Sequence, residues 1–233
     1  MIVSFHLTDV GKRSAFGILR TRPKPTLVPG LRYAELATCA PLGGGMIPPP
    51  QLGRVALIAA WDDDRALDAF LAGHPLAERL AGGWHVRLEP LRASGSWSAL
   101  PDLAADERPV EDDEPVAVLT LGRVKFPRAP SFLRTNAPAA DQAATDTEML
   151  AATGLARPPR LVATFSLWRT AAAMRAYAYR DGGGHRAAIQ AHRVRPFHHE
   201  SLFARFRPYG AQGTWDGRDP LAAARGGAEE LPA

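Results

Sequence analysis

The sequence predicts an α+β fold in which a ferredoxin-like βαββαβ module occurs twice in tandem. Three observations carry this: 233 residues that are 46% hydrophobic, enough for one large or two small domains; an acidic, proline-rich interruption near the middle; and collinear repeats on either side of it. The interruption, residues 101–115, holds three prolines and seven acidic groups against one arginine, which predicts an exposed linker. The repeats fall into three blocks. Val55-Ala-Leu-Ile-Ala-Ala-Trp61 matches Val162-Ala-Thr-Phe-Ser-Leu-Trp168 at an offset of 107, and Leu67, Phe70 and Leu71 continue onto Met174, Tyr177 and Ala178. Residues 86–97 match 204–215 at an offset of 118, ending in Gly95-Ser-Trp97 and Gly213-Thr-Trp215. Leu19-Arg-Thr21 matches Leu133-Arg-Thr135, and Leu36-Ala37 matches Leu150-Ala151, both at an offset of 114.

The first module, residues 1–100, opens with β-branched and apolar residues 3–8 as a strand and residues 14–20 as a helix. Residues 31–39 supply a second strand, and the near-continuous apolar run 55–61 a third, covered on both faces. Asp62 is placed to cap a helix whose Leu67, Phe70 and Leu71 share one face, and residues 86–91 close the module. The second module, residues 116–220, repeats this with strands at 116–121, 149–155, 161–168 and 202–209, helical residues 131–135, and a helix capped by Thr170. Residues 221–233 form a tail. Two such sheets can pack through their apolar sides, each burying what it could not bury alone.

Composition excludes several functions. The single cysteine, Cys39, allows no internal disulfide and no cysteine zinc cluster. No apolar run approaches the roughly 18 residues of a membrane helix, so a cytoplasmic protein, at most peripheral to a membrane, is expected. The net charge is +4, and the chain outside the linker carries 27 basic and 17 acidic residues, compatible with weak attraction to anionic lipid. The arginines are scattered rather than massed into a stripe, and strands 3–8 and 116–121 offer only Phe5 between them for base stacking, so no nucleic-acid partner is expected. Gly43-Gly-Gly45 and Gly182-Gly-Gly184 lack the context of a phosphate loop, and there is no nucleophile elbow.

Ser166-Leu-Trp168, the stretch Met174-Arg-Ala-Tyr-Ala178, His185-Arg-Ala-Ala-Ile189, Glu200-Ser-Leu-Phe-Ala-Arg-Phe206 and Gly213-Thr-Trp-Asp-Gly-Arg-Asp-Pro220 together resemble the C-terminal half of the spheroidene monooxygenase family. Residues 52–61 and Gly95-Ser-Trp97 extend the resemblance over nearly the whole chain. It implies two modules packed as an intramolecular dimeric α/β barrel. It also implies a haem-dependent oxidation of a carotenoid by O2, adding a keto or hydroxyl group, with electrons from a donor such as a ferredoxin.

The resemblance places the family's recurring histidine, an iron ligand, on His185; the preceding Gly182-Gly-Gly184 departs from the family's Gly-Pro. On a helix, Ala188, Ile189 and His192 would share its face. His74 stands at the corresponding place in the first module as a relic of duplication. Arg205, the counterpart of Arg87, could reach a haem propionate, or both arginines could serve structural ion pairs. Because a carotenoid is held by shape and buried area, Phe165, Leu167, Trp168, Met174, Tyr177 and Phe203 are candidate substrate walls, with Phe206 beside them. Strand alternation points Phe165 and Leu167 to one face and Trp168 to the other. His198 and Glu200 with His192 form an alternative non-haem iron set. Other functions stay open: a cofactor-free monooxygenase, a haem dehydratase-like enzyme of the same fold, or a non-catalytic binder of apolar ligands.

Overall fold

The computed structural model describes residues 1–103, 108–159, 161–179 and 197–226. The first half runs β1 (Ile2–Asp9), α1 (Gly11–Arg20), β2 (Leu31–Ala40), β3 (Gln51–Trp61), α2 (Asp64–Gly73), α3 (Pro75–Leu80) and β4 (Trp84–Ser96). The second runs β5 (Val116–Val124), α4 (Ala129–Ala144), β6 (Met149–Arg157), β7 (Leu161–Trp168), α5 (Ala171–Tyr179) and β8 (His198–Gln212), followed by a short helix Pro220–Gly226. All eight strands form one closed antiparallel barrel in the order β1-β3-β2-β6-β7-β5-β8-β4. Each half therefore contributes the order 4-1-3-2 of a split βαβ.

The halves meet edge to edge rather than face to face. Residues 38–40 of β2 pair with 154–156 of β6 in a short seam, and β4 pairs with β8 along nearly its whole length. Closure supplies hydrogen-bond partners to the edge strands of both sheets. The apolar inner faces become one shared interior: Phe5, Trp84, Phe165, Phe206 and Trp215 meet there, and Phe5 stacks on Phe165 with ring centroids 3.9 Å apart.

The repeated Gly-x-Trp endings have a structural reason. Gly95 and Gly213 have φ of +90° and +80°, and a Cβ on them would lie 2.2 Å from the Ser201 carbonyl oxygen and 1.9 Å from that of Gly83. Glycine is required on both counts. The turns fold Trp97 and Trp215 into the interior as buried residues. Positions 83 and 201 stand 118 residues apart, as do 95 and 213, so the two contacts are one contact made twice. The strand-end tryptophans also match: Trp61 sits opposite Ile2 and Leu31, and Trp168 opposite Val116 and Met149. Trp61 Nε1 donates to Ser4 Oγ and Trp168 Nε1 to Ser166 Oγ, each at 2.9 Å. Ser4 pairs across with Ala59, and Val118 with Ser166, so the hydroxyl changes strand between the halves while the bond is kept.

Four expectations change. The second strands align at an offset of 118, not 114: Leu36 lies opposite Leu57 as Gly154 lies opposite Thr164, and both strands carry a register shift after their first residue. The α2 cap is Asp63, which accepts from Ala66 N, while Asp62 pairs with Arg32; Thr170 caps α5 through Ala173 N. Helix α4 continues well past residue 135, to Ala144, and α3 is an additional turn of helix. The described parts of residues 101–115 are docked rather than free. Leu103 is buried in the core and Val110 packs on the outer cluster. The carbonyls of Asp112 and Glu114 accept from Ala172 N and Ala171 N at the start of α5, and their carboxylates pair with Arg175 and Arg207. The acidic groups act there as counter-charges.

Candidate functional site

Side chains fill the barrel interior, and the two halves differ on their outer faces. In the first half the cross-strand row His85, His6, Leu57 and Leu36 lies under the helices. His6, Leu57 and Leu36 are 3%, 1% and 0% exposed, packed with Ile18, Leu67 and Phe70. The corresponding row in the second half is Phe203, Thr120, Thr164 and Gly154, and all four are only half-buried. Leucine has become threonine, leucine has become glycine, and histidine has become threonine. These replacements reduce side-chain volume along the outer face of β5, β7 and β6, leaving a half-buried strip of small residues on the side where α4 and α5 pack. At the β6–β7 end it runs toward an apolar slot of about 170 Å³ lined by Val124, Ala129, Phe132, Leu133, Pro158 and Val162 among others.

Charge diverges at the same face. Arg87 bridges Asp64 at 2.6 Å and Asp68 at 2.5 Å, and Asp64 also accepts from Tyr209. At the matching positions of α5 the carboxylates are replaced by Ala171 and Arg175. Arg205 consequently makes no ion pair among the described residues; its Nε is buried without a hydrogen-bond partner, and its guanidinium lies 5.6 Å from the Phe203 ring centre. A buried guanidinium N–H left unpaired is costly, so the site suits an anionic acceptor. Of the two readings of the arginine pair, the structural ion pair is seen for Arg87 and, among the described residues, not for Arg205.

The candidate wall residues separate into two layers and do not line one space. Phe165, Leu167 and Phe206 belong to the filled interior, while Trp168 and Met174 form the outer cluster with Tyr177 and Phe203 against it. Tyr177 OH donates to Ala139 O at 2.9 Å, tying α5 to α4. His185 and His192 lie outside the described residues. His74 serves the structure, since its Nδ1 accepts from Leu76 N and caps α3. His198 packs edge-on to Phe132, and a Cβ at Gly122 would come within 2.6 Å of its ring. Glu200 is held by Arg123 at 3.5 Å. Burial pushes the Cys39 thiol up to about 12, which keeps it an inert core residue. The larger cavity, about 290 Å³ at the β2–β6 seam, is bordered by Arg54 and Asp216, which are closed on each other. The hollowed row was missed in the sequence, although Leu57 over Thr164 stood inside the strongest repeat block.

No family model matches the chain. Among solved structures it is similar to an aldoxime dehydratase in complex with butyraldoxime, with a TM-score of 0.55 at 8% identity over 89% of this chain and 79% of that one. A monooxygenase-like protein of Listeria innocua aligns at a TM-score of 0.30 and 9% identity over 87% of this chain and 93% of that one. The curated relatives are much nearer in sequence. The spheroidene monooxygenase of Rubrivivax gelatinosus is 35% identical over 82% of this chain and 73% of its own length. That of Rhodobacter capsulatus is 33% identical over 78% and 77%. The longer Cereibacter sphaeroides protein is 29% identical over 78% of this chain, which spans 57% of its length. Identity at this level over most of both chains places the chain in the spheroidene monooxygenase family of oxidoreductases.

Proposed function

We propose that the protein is a haem-dependent monooxygenase that oxidises a carotenoid in carotenoid biosynthesis, with the groove of the second half as its reaction site. Two relatives named spheroidene monooxygenase support the substrate class. The observation that carries the location is Arg205: a half-buried arginine whose buried Nε has no partner among the described residues and which lacks the two carboxylates that its counterpart Arg87 keeps, beside a floor of small side chains. A haem needs an apolar slot with a cation for its propionates, and those residues fit it. Arg205 would hold a propionate, Phe203, Thr120, Thr164 and Gly154 would line the space for the group, and His185, outside the described residues, would supply the iron-ligating nitrogen that the resemblance assigns to it. When bound, the haem iron would supply the O2 chemistry.

Holding the substrate falls to the protein. In the overall reaction one oxygen atom enters a C–H bond and the other leaves as water, with two electrons and two protons drawn from a donor such as a ferredoxin and from solvent. The slot by Phe132 and Val162 would hold the polyene by apolar burial, because it offers almost no hydrogen bonds. The test is haemin titration of the purified chain followed by absorbance. Wild type is expected to take up haem with a Soret band, Arg205→Leu to bind it at least 10-fold more weakly, and His185→Ala to lose or shift the band while keeping the fold. A wild-type chain that binds no haem, or an Arg205→Leu chain with unchanged affinity and spectrum, overturns the assignment.

A further inference from the structure

We propose that the rim of the apolar slot docks the protein on an anionic lipid surface, so that a carotenoid passes from the bilayer into the groove without crossing water. The inference rests on the carotenoid reading above and adds the face that meets the membrane. No carboxylate occurs between Glu114 and Asp141, whereas Arg123, Lys125, Arg128 and Arg134 do. Arg123 is taken by Glu200, and the nearby Arg157 by Glu35. Lys125, Arg128 and Arg134 remain, and none of them makes an ion pair among the described residues. Each is the chain neighbour of a residue lining the slot: Val124, Ala129 and Leu133. Arg134 is exposed and the other two are half-exposed.

Between these cations the rim exposes Pro127, Pro130, Pro158 and Pro159. Proline presents apolar surface and no backbone N–H, so these positions can meet the edge of the hydrocarbon without stranding a donor. An apolar mouth ringed by unpaired cations matches a bilayer that is anionic at its surface and apolar beneath. An acidic protein partner would satisfy the cations but would leave the slot and its prolines without a counterpart. A second basic stretch, Lys12, Arg13 and Arg20 on α1, lies on the first half and surrounds no slot, which makes it the internal comparison.

The experiment uses the full chain in flotation with vesicles of phosphatidylcholine, with and without phosphatidylglycerol, alongside oxidation of a carotenoid supplied either in those vesicles or in detergent. Wild type is expected to float with anionic vesicles at low salt and not with neutral ones. K125Q/R128Q/R134Q is expected to bind about 100-fold more weakly, taking each cation at its usual contribution near an anionic surface. Its turnover should fall on vesicle-borne carotenoid and hold in detergent, while K12Q/R13Q/R20Q floats as wild type does. Wild-type protein that ignores anionic vesicles, a triple rim variant that floats normally, or loss of binding in the α1 variant instead would each overturn the proposal. So would a rim variant that floats normally but no longer binds a ferredoxin, since that gives the rim to the electron donor. Flotation as expected without oxidation in detergent would keep the docking face and refute the carotenoid reading.

Discussion

Acid should unfold this protein through His6, one of two stacked histidines under the first-half helices. The ring is fully enclosed, its centroid 5.1 Å from that of His85 and 6.3 Å from that of Phe70. Burial, and then the positive charges of His85 and Arg87, lower its pKa from 6.5 to about 3. The hydrogen bonding accommodates this: Ser4 Oγ accepts from Trp61 Nε1 at 2.9 Å and stands 3.0 Å from His6 Nε2, where its own proton is free to be donated to a neutral imidazole. Because the folded pKa lies below the unfolded one, the unfolded chain binds the extra proton first. The stabilisation is complete above about pH 6.5 and is lost as pH falls from there toward 3. Each pH unit in that window costs about 1.4 kcal/mol, so acidification from pH 7.5 to pH 5 removes about 2 kcal/mol through His6. His85, also lowered by burial and by Arg87, adds to the loss with the same sign. Urea unfolding of wild type and His6→Gln at the two pH values measures this directly. The variant should lose about 2 kcal/mol less between them, and equal losses in the two proteins would refute the reasoning.

Gly213→Ala should destabilise the barrel by about 3 kcal/mol or more, since the new methyl combines a left-handed backbone with overlap on the Gly83 carbonyl; a denaturation midpoint near that of wild type would show that the turn can open. Gly95→Ala should behave alike, because it meets Ser201 in the same way. Replacing Thr164 and Gly154 by leucine copies the first-half row into the second; a Cβ at Gly154 meets nothing nearer than 3.5 Å, so the variant should fold to within about 1 kcal/mol of wild type while losing haem uptake. A variant with full haem uptake, read by the Soret band, would place the cofactor elsewhere.

The repeat made the architecture legible because equivalent strands carry the same inward apolar positions, and Trp61 and Trp168 anchor them. The second strands misaligned for a physical reason. Residues 31–40 and 149–157 share little sequence, and their matching irregularities become evident only from the ladder with β3 and β7. The docking of residues 101–115 was hidden because a carboxylate that pairs with an arginine distant in sequence is compositionally the same as one that solvates a linker; Asp112 with Arg175 and Glu114 with Arg207 are such pairs. The groove was half legible. Leu57 over Thr164 was in view, but Leu36 over Gly154 needed the corrected register, and Arg205 without Asp64 and Asp68 needed the geometry of α2 beside that of α5. Phe165 illustrates the opposite case, an aromatic whose periodicity fits a binding wall and a packed core equally, decided only by its stack on Phe5.

The reciprocal turns at Gly95 and Gly213 bear on how such an enzyme can specialise. Each turn rests on the other half, so neither half completes its own barrel end, and the arrangement is that of a two-fold dimer written into one chain. In a dimer of identical subunits every substitution is imposed on both faces together, and reducing the side chains of one face would strip the other of Leu57 and Leu36 as well. Covalent fusion removes that constraint. One copy can keep its leucines, its buried His6 and the Arg87 ion pairs as the stable partner. The other is then free to surrender them, so that the division of labour between the halves is itself a product of broken symmetry.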